Sequence, residues 1–149
     1  VARQQNNPYL NRILEKIRSK YGNKVIYKKG ALKSLLYELR EKRTVGILID
    51  QSVLRDEGYI IDFLGRPAWT TKMPALIARK TGASVVPACI NNDGKRHIIS
   101  IYPEIELSEN KDTEAALIRD TKAFSFYVEE YIKKHPTEWL WIHRRWKRA

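Results

Sequence analysis

The sequence predicts an α/β fold: a mixed, mostly parallel sheet flanked by helices, within a single domain over residues 1–149. Three observations carry this. Apolar residues recur at helical spacing in four stretches. Short runs rich in Val and Ile lie between them. One of these runs, TVGILI at residues 44–49, is apolar nearly throughout, the pattern of a central strand covered on both faces. Strands alternating with helices argue for layered α/β architecture rather than a sandwich or a bundle.

The first helix begins in NNPYLNRILEKIRSKYG. Asn7 is a good cap, and Pro8 suits the first helical position, whose N–H has no intrahelical partner anyway. Leu10, Ile13, Leu14, Ile17 and Tyr21 share one face, and Gly22 ends the segment. KVIYK (24–28) reads as a short strand. A second helix follows with Leu32, Leu35, Leu36 and Leu39 as its stripe, then the run at 44–49. YIIDFLG (59–65) reads as another strand. TTKMPALIARKTG (70–82) reads as a third helix, with Thr70 or Thr71 as cap and Gly82 as stop. ASVVPACI and RHIISIY are strands, Pro87 marking the first as an edge or a bulge. The last helix carries Leu117, Thr121, Phe124, Val128 and Tyr131 on one stripe and stops before Pro136.

Composition narrows the function classes. A hydrophobic fraction of 43% with 30% charged residues is that of a globular chain. No apolar run approaches the ~20 residues that span a bilayer, and the start does not read as a signal peptide. Cys89 is the lone cysteine, which excludes an internal disulfide and fits a reducing compartment. Lys and Arg number 28 against 17 Asp and Glu, a net +11 that favours polyanionic partners.

The common nucleotide-binding and serine-hydrolase glycine motifs are absent. Cys89 and the three histidines lack metal-ligand spacing, so no metal is expected. Asp50 and Gln51 directly follow the apolar run at 44–49. Ligands gather at the carboxyl ends of strands in such sheets, so both are site candidates by position. A turn or cap carboxylate is the alternative for Asp50. Near the end, EWLWIHRRWKR interleaves Trp139, Trp141 and Trp146 with His143, Arg144, Arg145, Lys147 and Arg148.

Taken together, VGILIDQ, DFLGRPAWTTKMPALIARKTGASVVPA and EWLWIHRRWK resemble the lipid A biosynthesis acyltransferases, the lauroyl/myristoyl-type enzymes of the lysophospholipid acyltransferase superfamily. The resemblance runs from ARQQNN to the last tryptophan. It implies an enzyme of lipopolysaccharide biosynthesis at the cytoplasmic face of the bacterial inner membrane. Such an enzyme moves a fatty acyl group from acyl carrier protein to a hydroxyl of a Kdo-bearing lipid A precursor, with no cofactor. It also implies an H-x-x-x-x-D/E motif whose histidine acts as general base. No histidine here has the required partner: Tyr102 lies five positions beyond His97, Leu140 beyond His135, and Arg148 beyond His143. The expectation is therefore the C-terminal part of a larger glycerolphosphate-acyltransferase-like domain. The catalytic motif and membrane anchor would lie upstream, and this chain by itself would be inactive.

By the resemblance, Arg3 with Asn7 would meet acceptor phosphate or glycerol-like oxygens, and Asp50 with Gln51 would position substrate. Gly65 would make a tight turn, and Thr70 and Thr71 would open a helix towards an anion, unless they simply cap it. Arg144 and Arg145 are the candidates for phosphate contact, because guanidinium pairs bidentately with phosphate. Trp139 and Trp141 are expected to pack in the core, and His143 to have a hydrogen-bonded structural role. The partners implied are acyl carrier protein, an anionic glycolipid and the inner-membrane surface. A nucleic-acid-binding module is the weaker alternative, since no such motif is present and the cations are scattered. A non-catalytic lipid- or carrier-binding fragment is the other.

Overall fold

A computed structural model describes every residue except Lys29 and Arg148. Four helices are described, α1 (Pro8–Ser19), α2 (Ala31–Arg40), α3 (Met73–Thr81) and α4 (Thr113–Lys134). The four described strands are β1 (Gly58–Phe63), β2 (Arg66–Thr71), β3 (Ala88–Asn92) and β4 (His97–Ile101). Single 3₁₀ turns lie at Arg55–Glu57 and Pro136–Glu138. The chain divides into two compact units, Val1–Leu48 and Ile49–Ala149.

In the first unit, the Asn7 side chain accepts hydrogen bonds from the N–H groups of Tyr9 (3.0 Å) and Leu10 (3.2 Å), the cap expected of it. Leu35 is fully buried and Ala31 nearly so, while Leu32 is exposed. Residues 24–28 do not form the expected strand. Tyr27 makes one parallel bridge to Ala2, closed by Ala2 N–H to Ile26 O at 2.8 Å and Lys28 N–H to Ala2 O at 2.9 Å. Buried Glu38 of α2 is held between Lys24 and Arg43, the latter at 2.6 Å.

The second unit is built on the antiparallel hairpin β1–β2, paired from Gly58↔Thr71 to Phe63↔Arg66. Leu64 (φ 54°) and Gly65 (φ 76°) both take left-handed backbone, as a two-residue hairpin turn requires. Leucine is unusual there, and its N–H is anchored to Glu129 Oε2 of α4 at 3.0 Å. The side chain of Leu64 joins the core, which offsets the local strain. A second antiparallel hairpin joins β3 to β4, from Ala88↔Ile101 to Asn92↔His97.

These pairings correct the expectation of a mostly parallel sheet: both described sheets are two-stranded and antiparallel. Hydrophobic periodicity specifies that a segment is extended but not which segment it pairs with. The short turn at Leu64 and Gly65 closes a hairpin at small entropic cost, whereas a parallel pair needs a long crossover. Residues 44–49 enter no strand among the described residues, and Leu48 is 80% exposed. Their apolar run asked for burial on both faces without naming a partner.

Strand β2 was not anticipated either. Thr70 and Thr71 belong to it, and Lys72 holds the cap position of α3. Thr71 Oγ1 still accepts from Met73 N–H at 3.3 Å, so part of the capping role survives. Gly82 closes α3 in left-handed backbone, as expected.

Helix α4 is capped by Asp112, which accepts from Glu114 and Ala115 N–H groups at 2.9 and 3.2 Å. Its predicted stripe is the face that packs. Leu117 and Phe124 join Ala75 of α3 and Ile105 in one apolar cluster. Further along, Ile132 with Val128 and Tyr131 joins Phe63, Ala68, Trp139 and Trp146 in another. Buried Asp120 ties α4 to its surroundings, accepting from Arg79 Nε (2.6 Å) and Ser108 N–H (2.8 Å).

Two predictions follow from this packing. A Cβ at Gly58 would sit 2.1 Å from the Thr70 carbonyl oxygen and 2.8 Å from a Val53 methyl. Gly58→Ala is therefore expected to cost about 2–3 kcal/mol, read from the urea midpoint. Hydrogen bonds from Lys24 and then Arg43 hold the Glu38 carboxyl below its ordinary 4.5. A depressed folded-state pKa contributes stability that is complete above the unfolded value and fades as pH falls through the folded one. Glu38→Gln should flatten the fall in thermal midpoint below pH 4.5 that the parent chain shows.

Candidate functional site

Three segments of the second unit meet around one buried cation. The first is the stretch after the apolar run, Asp50, Gln51 and Ser52. The second is β2 at Trp69 and Thr70. The third is the aromatic and basic segment 139–147. Arg145 joins them. It is 0% exposed, and its Nη1 donates to the carbonyl oxygens of Trp69 and of Gln51, the latter at 3.4 Å. Nη2 donates to Thr70 Oγ1 at 2.5 Å. The guanidinium carbon lies 4.5 Å from the centre of the Phe63 ring. Burial pushes the Arg145 pKa down to about 10, against the opposing charges of Asp50 and Glu129, so it remains a cation at neutral pH.

Aromatic rings wall this cation. Phe63 lies 5.8 Å from Trp139 and 6.1 Å from Trp146, centre to centre, and Trp139 meets Trp141 edge-on at 4.7 Å. Trp139 Nε1 donates to Asp50 Oδ2 at 3.3 Å, and Trp146 Nε1 to the Phe63 carbonyl at 3.3 Å. His143 Nε2 accepts from the Ser52 backbone N–H at 3.0 Å, which leaves the ring proton of the neutral form on Nδ1. A second set of contacts therefore pins the Asp50 stretch to the basic segment. Among the described residues, the buried Ser52 hydroxyl and Arg145 Nε have no hydrogen-bond partner.

The structure thus brings Asp50, Gln51, Thr70 and Arg145 together. Thr71 neighbours them on β2, and Gly65 lies at the far end of that hairpin, its N–H donating to Asp62 Oδ1 at 3.1 Å. Arg3 and Asn7 belong to the first unit, where Arg3 is exposed and Asn7 caps α1. The neighbouring arginines, alike in sequence, have opposite settings. Arg145, expected to face a phosphate, has its guanidinium enclosed by protein oxygens. Arg144 is exposed and lines an open concavity of about 360 Å³ with Ser52, Ile142, His143 and Lys147.

The tryptophans separate in the same way. Trp139 is buried, as expected, but Trp141 is 53% exposed although its Nε1 donates to the Pro136 carbonyl at 2.6 Å. The two were expected on one side of an extended segment. The backbone after Trp139 instead turns repeatedly, with His143 N–H to Leu140 O at 3.0 Å and Arg145 N–H to His143 O at 2.8 Å. These turns leave Leu140, Trp141 and Ile142 as an exposed apolar edge beside Arg144 and Lys147. Sequence reasoning missed Ser52 and Lys147, whose only signal was adjacency to Gln51 and Arg144. Among the described residues, no three His, Cys, Asp or Glu side chains gather as metal ligands.

Arg145→Ala would leave two carbonyls and a hydroxyl without their donor and open a cavity. It is expected to cost about 3 kcal/mol of stability in urea denaturation. Arg144→Ala should stay within about 0.5 kcal/mol of the parent. Equal effects would refute the structural difference between the two.

Comparison with known proteins shows what the chain as a whole is similar to. The chain is 26% identical over 151 residues to a lipid A biosynthesis acyltransferase of Haemophilus influenzae, covering 99% of this chain and 47% of that protein. It is 27% identical over 112 residues to a phosphatidylinositol mannoside acyltransferase of Mycobacterium tuberculosis, covering 75% of this chain and 34% of that one. The chain thus spans between a third and a half of these relatives' lengths. The family model described as bacterial lipid A biosynthesis acyltransferase matches residues 1–148, and the chain belongs to that family.

Proposed function

We propose that this chain is the acceptor-seating part of an enzyme that transfers a fatty acyl group from acyl carrier protein to a hydroxyl of a Kdo-lipid A precursor. The observation that carries the reading is the edge formed by Leu140, Trp141 and Ile142 beside Arg144 and Lys147. A phosphorylated glycolipid presents the matching pair of chemistries, anionic oxygens next to acyl chains. The relatives' names support the class, because lipid A and phosphatidylinositol mannoside are both glycolipids that bear acyl chains.

In this reading the roles divide by exposure. Arg144 and Lys147 approach the acceptor's phosphate. Trp141 and the flanking aliphatic side chains lie against the lipid part. Asp50 and Gln51 orient the sugar hydroxyls, and Thr70 and Thr71 support them from β2. Arg145 is a positioning residue. By fixing the Gln51 carbonyl and Thr70 hydroxyl, it sets where Asp50 stands.

The reaction requires the acceptor oxygen to attack the thioester carbonyl, its proton passing to a base. The C–S bond breaks and the carrier's thiol leaves protonated. In the family resembled, that base is the histidine of H-x-x-x-x-D/E, a motif this sequence lacks. The net charge of +11 suits both an acidic carrier protein and the anionic inner leaflet of the bacterial membrane.

The test is binding of a bis-phosphorylated lipid A precursor to the 149-residue chain. Arg144→Ala with Lys147→Ala should weaken acceptor binding by about 100-fold, two charge-assisted contacts of roughly 1.5 kcal/mol each, at unchanged thermal midpoint. Removal of the acceptor's phosphates should cost the parent a similar factor and the double variant little. Parent-like binding by the double variant would overturn the assignment.

A further inference from the structure

We propose that α1 is a bilayer-surface helix that lies in the headgroup region of an anionic membrane, its apolar stripe against the acyl chains. None of its residues is buried. Leu10, Ile13 and Ile17 lie on one face, with Tyr21 one turn beyond, and are 46%, 57%, 62% and 81% exposed. A helix in a globular core would hide that stripe; here it is left exposed, as a helix lying in a membrane interface needs it to be.

Charge selects the occupant. Arg12, Lys16, Arg18 and Lys20 stand against the single carboxylate of Glu15. Arg18 and Lys20 flank the stripe on its two sides, where they would reach phosphate headgroups while the aliphatic residues sink between the chains. Lys20 Nζ lies 5.3 Å from the Tyr21 ring centre, so a cation and an amphipathic ring sit together at the polar boundary. Against a second copy of the chain the same cations would face one another, which like-charge repulsion opposes. This inference extends the membrane-borne acceptor of the preceding reading, but it concerns a different unit of the chain and its readout involves no acyl transfer.

The test is cosedimentation of the 149-residue chain with phosphatidylcholine vesicles, with and without phosphatidylglycerol. Binding should require the anionic lipid and fall as salt rises. Ile13→Asp with Ile17→Asp should weaken it more than tenfold, with helix content and thermal midpoint unchanged because both positions are exposed. Arg18→Gln and Lys20→Gln should each weaken it about fivefold without touching the stripe. Parent-like binding by the double aspartate variant overturns the proposal. So does binding indifferent to phosphatidylglycerol, or a dimer in sedimentation velocity that the aspartates dissociate. Vesicle binding without recognition of the lipid A precursor would leave this inference standing and remove the acceptor-seating one; the converse result would do the opposite.

Discussion

A guanidinium sealed from solvent is an expensive group to keep in a protein interior, and the second unit is arranged around one. Desolvating the Arg145 cation opposes folding, as its lowered pKa records. The cost is offset by a set of acceptors that no single segment could supply: two backbone carbonyls, a threonine hydroxyl and the face of Phe63. The Thr70 side chain is itself buried, so its hydroxyl also gains from the contact. The cation and its partners therefore require one another, and the Asp50 stretch, β2 and the basic segment are held in one place. The indole cluster around Phe63 excludes the water that would weaken these bonds.

Much of this was legible in the sequence, for reasons that can be traced. Helices α1 and α4 follow a 3.6-residue apolar period, and side-chain caps fix their starts at Asn7 and Asp112. Such local signals survive any tertiary context. Strand partners are not local. The run at residues 44–49 and the extended stretch at 24–28 read as strands because their composition is strand-like, but neither carries information about what lies beside it. Strand β2 escaped notice because its two threonines read as the cap of the helix that follows.

The site was legible by segment and not by side chain. Asp50, Gln51, Thr70 and the basic segment were singled out from motifs, and they do assemble. Which member of Arg144–Arg145 faces solvent depends on a series of turns after Trp139 that no periodicity announces. A turn-rich segment has no fixed period that assigns neighbours to faces, and here Arg145 is buried in the protein while Arg144 is exposed. The same geometry separates Trp139 from Trp141.

The clamp also joins residues far apart along the chain, 94 positions from Arg145 to Gln51 and 76 to Trp69. The β1–β2 hairpin closes over a two-residue turn, and α4 forms through contacts four residues apart; both are cheap in chain entropy. A contact spanning most of the polypeptide brings no gain until those pieces have come together. By this argument the region around Arg145 is the last to set as the chain folds. Until it does, the Arg145 cation stays in contact with water, so closing the site must displace that hydration.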